Sequence, residues 1–182
     1  MSNVLIFLAD GFEEVEALTV VDLLRRADID ITTVSIEDTM TVTGRSNITV
    51  EADKLIDDVD FDSADTIVLP GGMPGTKNLA ACKVLMNHVD KYAEHGKRLC
   101  AICAAPTVYG KRGLLKGKRA CCYPGMEQDL LDAVVTYDPV TVDGNFITSR
   151  GAGTAIDFAL AIIEQIKGHT IAENISKSIV FK

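Results

Sequence analysis

The chain is short of four things: long apolar runs, basic residues, histidine and an even set of cysteines. No apolar stretch reaches the ~18 residues that a membrane-spanning helix needs, so a membrane role is set aside. The first residues, Met1-Ser2-Asn3, carry no basic region. The apolar run that follows, Val4 to Leu8, stops at Asp10-Gly11, too soon for a signal peptide. Basic residues number 18 against 26 acidic ones, for a net charge of -8 and a pI near 4.8. A surface that tracks phosphates is therefore disfavoured, and nucleic acid is not an expected partner. Small neutral or metabolite-like substrates fit better. The five cysteines, Cys82, Cys100, Cys103, Cys121 and Cys122, are an odd number and do not make the disulfide framework of a small secreted domain. A reducing, cytoplasmic setting is expected. With 182 residues, 47% of them apolar, and no linker, repeat or low-complexity tract, residues 1–182 are expected to form a single domain with one substantial core.

Short apolar runs alternate with amphipathic segments. Val4 to Leu8 reads as a strand. Glu13 to Arg26 reads as a helix with Val15, Leu18, Val21 and Leu24 facing a core, and its acidic start and basic end match the helix dipole. Asp30 to Ile36 is β-branched and predicts a second strand, and Thr39 to Ala52, with Thr43-Gly44-Arg45-Ser46 at its middle, predicts a small inserted hairpin. Thr66 to Leu69 is a strand entering Pro70-Gly71-Gly72-Met73-Pro74-Gly75, followed by a helix over Asn78 to His95. Arg98 to Ile102 is the next strand, and Pro106 suits the first turn of a helix behind it. Further strands are expected near Arg119 to Cys122, Val134 to Tyr137 and Phe146 to Ser149, with a short helix over Met126 to Ala133. Two helices, Thr154 to Ile166 and Thr170 to Lys177, close the chain. Continuously apolar strands alternating with helices predict an α/β doubly wound sandwich, mostly parallel, with helices on both faces. In such sheets sites lie beyond the carboxyl ends of the strands. The turns after Leu8, Leu69 and Ile102 are all there.

Cys103 follows a strand and precedes a helix, with the small residues Ala101, Ala104 and Ala105 around it. That is the layout of a nucleophile elbow, and unpaired N–H groups at a helix start favour a thiolate. The competing reading is a buried core cysteine. Cys100 and Cys103 have C-x-x-C spacing, but Cys100 falls inside the strand, and His88, His95 and His169 do not supply a second ligand pair, so neither a redox dithiol nor a metal site is expected. Among the acids, Glu13 and Glu14 read as a favourable acidic first helical turn. Glu16 flanks the apolar stripe, where desolvation would raise its pKa and fit it for proton exchange near neutral pH. Gly71 and Gly72 form either a plain turn or a loop whose N–H groups meet a substrate oxygen. The run contains no phosphate-loop signature. Thr154 reads as a helix cap after Arg150-Gly151-Ala152-Gly153.

Four segments in order, Ala9-Asp10-Gly11-Phe12-Glu13-Glu14-Val15-Glu16, Leu69-Pro70-Gly71-Gly72, Ala101-Ile102-Cys103-Ala104-Ala105-Pro106 and Thr148-Ser149-Arg150-Gly151-Ala152-Gly153-Thr154, resemble the parkinsonism-associated deglycase, ThiJ and PfpI superfamily over nearly the whole chain. The resemblance implies a flavodoxin-like fold, a homodimer, Cys103 as nucleophile, Glu16 as its carboxyl partner, and backbone N–H groups near Gly72 and Ala104 as oxyanion donors. It implies a cofactor-free glyoxalase or deglycase acting on methylglyoxal or its adducts, in which Cys103 attacks an aldehyde and Glu16 shuttles the proton. The alternative is an oxidative-stress sensor or protective chaperone whose Cys103 is oxidised to the sulfinate. The thiazole-phosphate name attached to part of the superfamily finds no specifying residues here.

Two departures matter. Many members have a histidine where this chain has Tyr123, and a phenol is a poor general base at neutral pH. The protease-like branch has a histidine after the cysteine, where Ala104 stands, which speaks against peptidase activity. Cys122 beside Tyr123 reads either as a resolving thiol or as a small strand residue. Arg26 and Arg45 read either as basic residues near a dimer interface or as ordinary solvated positions.

Overall fold

The computed structural model describes residues 3–181. Met1 and Ser2, which enter the leader argument, lie outside the described residues. A seven-stranded sheet runs through the molecule in the spatial order β10-β11-β7-β6-β1-β2-β5. Its strands are β1 (Asn3–Leu8), β2 (Asp30–Ser35), β5 (Lys54–Leu55), β6 (Thr66–Leu69), β7 (Arg98–Ile102), β10 (Val140–Asp143) and β11 (Phe146–Ser149). All neighbours pair in parallel except β10 with β11. The small hairpin expected in the insertion is present, as β3 (Thr41–Thr43) against β4 (Thr49–Glu51). A further two-stranded pair joins β8 (Arg119–Ala120) to β9 (Val134–Val135).

The strands are apolar throughout because both faces are covered. Along β1, Val4, Ile6 and Leu8 enter one core layer while Leu5 and Phe7 enter the other, as the two-residue alternation of a strand requires. The first layer is closed by α1 (Glu14–Arg26), α5 (Ala155–Lys167) and α6 (His169–Ser178), and the second by α2 (Gly75–Ala81), α3 (Lys83–Glu94) and α4 (Pro106–Lys111). The two fully or nearly fully buried tyrosines of the second layer keep their hydroxyls satisfied. Tyr92 donates to the Phe61 carbonyl at 2.8 Å and Tyr109 to the Cys100 carbonyl at 3.2 Å.

Several expectations need correction. In α1 the inward stripe is Glu16, Ala17, Val20, Val21, Leu23 and Leu24, while Val15 and Leu18 face outward. The helix is rotated so that a carboxylate, not a valine, enters the core. The single helix expected over Asn78 to His95 is two, broken at Cys82, whose ψ of 101° is extended. No residue there carries a breaker signal. The helix expected over Met126 to Ala133 shrinks to one 3-10 turn, Glu127–Asp129. Asp132, at φ 59°, leaves helical space, and the turn lies so close to α4 that a Cβ on Gly110 would come within 2.3 Å of the Asp129 carbonyl oxygen. Strand β10 was not anticipated. Neither was the departure of β8 from the main sheet.

Candidate active site

Three turns at the carboxyl ends of β1, β6 and β7 meet. Glu13 N–H donates to the Gly71 carbonyl at 2.9 Å, and Gly75 N–H to the Gly11 carbonyl at 3.3 Å. The approach is closer than any side chain permits. A Cβ on Gly72, which sits at φ +93°, would lie 2.4 Å from the Glu13 nitrogen, and one on Gly71 would lie 2.5 Å from Glu16 Oε2 and 2.6 Å from Cys103 Cβ. The glycines at 71 and 72 are therefore demanded by packing, not by flexibility alone.

Cys103 has φ +65°, a left-handed conformation uncommon for a residue with a side chain and found mostly where the surroundings enforce it. Its own backbone is clamped on both sides. Cys103 N–H donates to the Ser149 carbonyl at 3.0 Å, and its carbonyl accepts from Tyr123 N–H at 2.7 Å. The helix that follows starts only at Pro106 and has 6 residues. The elbow geometry expected from the sequence is thus present, but the helix-start argument for a thiolate does not hold. Burial pushes the Cys103 thiol up to about 12, aided by the neighbouring Glu16 charge and against the backbone N–H groups of Ala104 and Gly72.

Glu16, 1% exposed, accepts a hydrogen bond from Gly71 N–H at 2.9 Å. Burial raises its carboxyl to about 7, opposed by the hydrogen bond from the Cys103 thiol and by the Gly71 N–H. The two acids behave as one system. A first proton leaves the pair near neutral pH. The second is held far more tightly, since a second negative charge would lie against the first. The one charge of the singly ionised pair is held by Gly71 N–H when it sits on the carboxylate and by Ala104 and Gly72 N–H when it sits on sulfur.

A cavity of about 430 Å³ opens over this pair, lined among others by Glu13, Arg45, Met73, Ala104, Tyr123 and Met126. Arg45 donates from its guanidinium to Glu13 Oε2 at 3.0 Å. Arg26 is elsewhere, on the outer face of α1, paired with Asp22 at 3.0 Å. The two arginines grouped together from the sequence thus stand apart. Tyr123 is half exposed at the cavity wall. Cys122 is buried in the second core layer, its thiol pushed up to about 12 by burial, whereas Cys103 packs against the first layer. Cys100 is fully buried and its thiol is raised by that burial.

Glu14 stands in the first turn of α1, as expected, and is buried there. It is 5% exposed, and one carboxylate oxygen accepts from Ser46 N–H at 2.8 Å and Ile48 N–H at 3.4 Å. Burial alone would raise its pKa, but those backbone hydrogen bonds outweigh it and the net shift is downward. Glu14 thereby fastens the β3–β4 turn that carries Arg45. Thr154 does not cap α5 through its side chain. Its hydroxyl instead faces the Ser149 hydroxyl at 2.6 Å and donates to the Gly151 carbonyl at 2.9 Å. The sequence reading missed Glu13, Met73 and Met126. Only Glu13 had a signal, its place in the run with Glu16. Among the described residues, no group of three or more His, Cys, Asp or Glu is placed to hold a metal ion, and no helix is long and apolar enough to cross a membrane.

The model of the DJ-1/PfpI family matches residues 2–165. The chain belongs to the DJ-1/PfpI family. Protein DJ-1 homolog B of Arabidopsis thaliana is 40% identical over 177 residues, which are 97% of this chain and 40% of that protein, so the chain spans less than half the length of that relative. A protein named as a deglycase in Pyrococcus abyssi is 30% identical over 167 residues, 91% of this chain and 99% of the relative. Among solved structures, oxidised DJ-1 of Toxoplasma gondii superposes with a TM-score of 0.95 at 34% identity, over 100% of this chain and 99% of that one. The DJ-1/PfpI assignment and the mostly parallel α/β sandwich agree with the expectations drawn from the four segments.

Proposed function

We propose that this DJ-1/PfpI protein is a cysteine-dependent, cofactor-free deglycase or glyoxalase acting on methylglyoxal or its adducts. The observation that carries the reading is the Cys103–Glu16 pair. A thiol on a left-handed elbow touches a buried carboxyl raised to about 7, under two backbone N–H donors. A general base poised near the working pH is what carbonyl chemistry of this type needs. The deglycase name of the archaeal relative supports the same reaction class.

In this reaction the Cys103 sulfur attacks the aldehyde carbon and its proton passes to Glu16. The carbonyl π pair moves onto oxygen, where Gly72 and Ala104 N–H groups meet it. Return of the proton from Glu16 gives a hemithioacetal. The Glu16 carboxylate then removes the proton on the former aldehyde carbon to give an enediolate and returns it to the adjacent carbonyl carbon, while the hydroxyl proton on the first oxygen moves to the second, leaving a lactoyl thioester. Water cleaves the thioester, releasing lactate and restoring the thiol. No step needs a histidine, so Tyr123 is left to shape the cavity wall. The test is lactate formation from methylglyoxal by purified protein. The proposal expects turnover in wild type and none in Cys103→Ala, and equal rates in the two proteins would sink it.

A second reading has its own support in the likeness to the oxidised Toxoplasma structure. Two peroxide molecules each pass one oxygen atom to the Cys103 sulfur and leave as water, giving a sulfinate that the same N–H groups and a protonated Glu16 stabilise. Mass spectrometry after mild peroxide treatment is expected to show a two-oxygen gain at Cys103, with Cys100 and Cys121 unchanged. For its setting the proposal takes a cytoplasmic homodimer, with the exposed Val15 and Leu18 of α1 as an apolar face for a second copy.

A further inference from the structure

We propose that the catalytic cavity continues into a second chamber that binds an anionic group on the far end of the substrate, with Lys77 as its charged contact. This rests on Cys103 being the nucleophile, and it adds a substrate class: carbonyl compounds or adducts that carry a carboxylate or phosphate tail. The second chamber, about 510 Å³, lies between α2 and α4 and has Met73 and Met126 in its wall. The same two methionines line the cavity over Cys103. The two spaces therefore share a boundary made of flexible, unbranched side chains, which yield readily to a ligand.

The charge in the second chamber is of one sign once pairs are removed. Lys111 is held by Asp129 at 3.0 Å, and Arg112 is held by Asp90. Lys77, exposed on the chamber wall, has no carboxylate partner among the described residues. Beside it, Thr76 is 3% exposed and its hydroxyl has no hydrogen-bond partner. A buried hydroxyl left unmatched is uncommon enough to need a reason. On this proposal Thr76 is an unspent donor in the wall that will take an anion. A lone cation and an unspent donor stand out on a chain with net charge -8, whose overall field repels anions. Preference for an anionic ligand must then come from this local site.

Thr76 also lies one helical turn from Gly72, in the loop beside the reacting thiol. Thr76 N–H donates to the Gly72 carbonyl at 2.9 Å, and Gly72 N–H reaches the Cys103 sulfur. The tail site and the oxyanion site thus share one hydrogen-bonded loop.

The test reads the chamber without using the proposed reaction. Cys103 is alkylated with N-alkyl iodoacetamides whose alkyl chains, of graded length, end in a methyl, a carboxylate or a phosphate. The quantity compared is the ratio of anionic-tail to methyl-tail rates within one protein. The expected result at low salt is saturable labelling and a ratio of at least about threefold at the best chain length, the size an exposed ion pair gives. The ratio collapses in Lys77→Ala, survives in Lys77→Arg and falls in Thr76→Val. Whichever tail is faster, carboxylate or phosphate, identifies the source of the anion. A ratio of one at every length overturns the proposal, as does a ratio unchanged in Lys77→Ala, which would place the anion on Arg45. Because labelling needs only the thiol, a protein that makes no lactate but keeps the tail preference would fail the proposed function and uphold the chamber.

Discussion

Glu16 gives up water when the chain folds and receives one backbone N–H and one thiol in exchange. The raised value of about 7 has a definite sign for stability. Between pH 4.5 and about 7 the folded protein holds a proton on Glu16 that the unfolded chain releases, so its contribution to stability is full below that window and falls as pH rises through it. The loss is on the order of 3 kcal/mol. Glu16→Gln cannot ionise, so in urea unfolding the variant is expected to gain on wild type as pH is raised from about 4.5 to about 7.5. A gap between the two proteins that stays constant with pH would count against a buried, proton-holding Glu16. Gly71 gives a second prediction at this scale. A methyl group there lands within 2.6 Å of both Glu16 Oε2 and Cys103 Cβ, and overpacking of this kind costs about 1–3 kcal/mol. Gly71→Ala is expected to unfold at lower urea and to lose Cys103 reactivity together. Retention of full reactivity would show that the wedge is unimportant.

The hairpin and α1 act together at the scale of elements. Glu14 holds the hairpin turn through Ser46 and Ile48, and the turn carries Arg45 to Glu13 at the cavity. Glu14→Ala removes an acceptor from two backbone N–H groups and is expected to cost about 1–3 kcal/mol, with faster proteolysis after Arg45. Cleavage elsewhere first would contradict the anchoring role. Periodicity found α1 with almost its full bounds, but the rotation of the helix was not readable from it. Val15 and Leu18 look as core-facing as Val21 and Leu24 until the position of β1 is known, and the anchoring role of Glu14 is not visible locally because its partners are 32 and 34 residues away. The same applies to the truncation at Asp132, whose carbonyl accepts from Gly117 N–H at 2.8 Å, a contact distant in sequence that overrides local propensity.

Across the whole molecule, the legible features were those set by local covalent and hydrophobic logic. Apolar strands, small residues around Cys103 and glycines after Leu69 together implied a parallel sheet with its site at the carboxyl ends, and the structure has β1, β6 and β7 adjacent. The electrostatics were less legible. The sequence suggested a thiolate stabilised by a helix start, whereas depth of burial and contact with Glu16 govern the thiol, and both are products of the assembled sheet. Chain assembly follows the same scale. The outward Val15 and Leu18 predict sedimentation at twice the chain mass, reduced to the monomer in Leu18→Glu, and a wild-type monomer at micromolar concentration would remove that part of the proposal.

The coupling of Cys103 to Glu16 is tested most directly by the rate of Cys103 alkylation with iodoacetamide as a function of pH, in wild type and Glu16→Gln. Wild-type reactivity is predicted to rise through a midpoint near 7, where the pair loses its first proton, whether the charge then resides on sulfur or on the carboxylate that accepts the thiol proton. In Glu16→Gln the thiol must ionise alone in a buried site, so reactivity at neutral pH falls and the midpoint moves above the ordinary thiol value of ~8.5. Profiles that coincide in the two proteins, or a wild-type midpoint already at the ordinary thiol value, would contradict a shared-proton pair as the centre of this site.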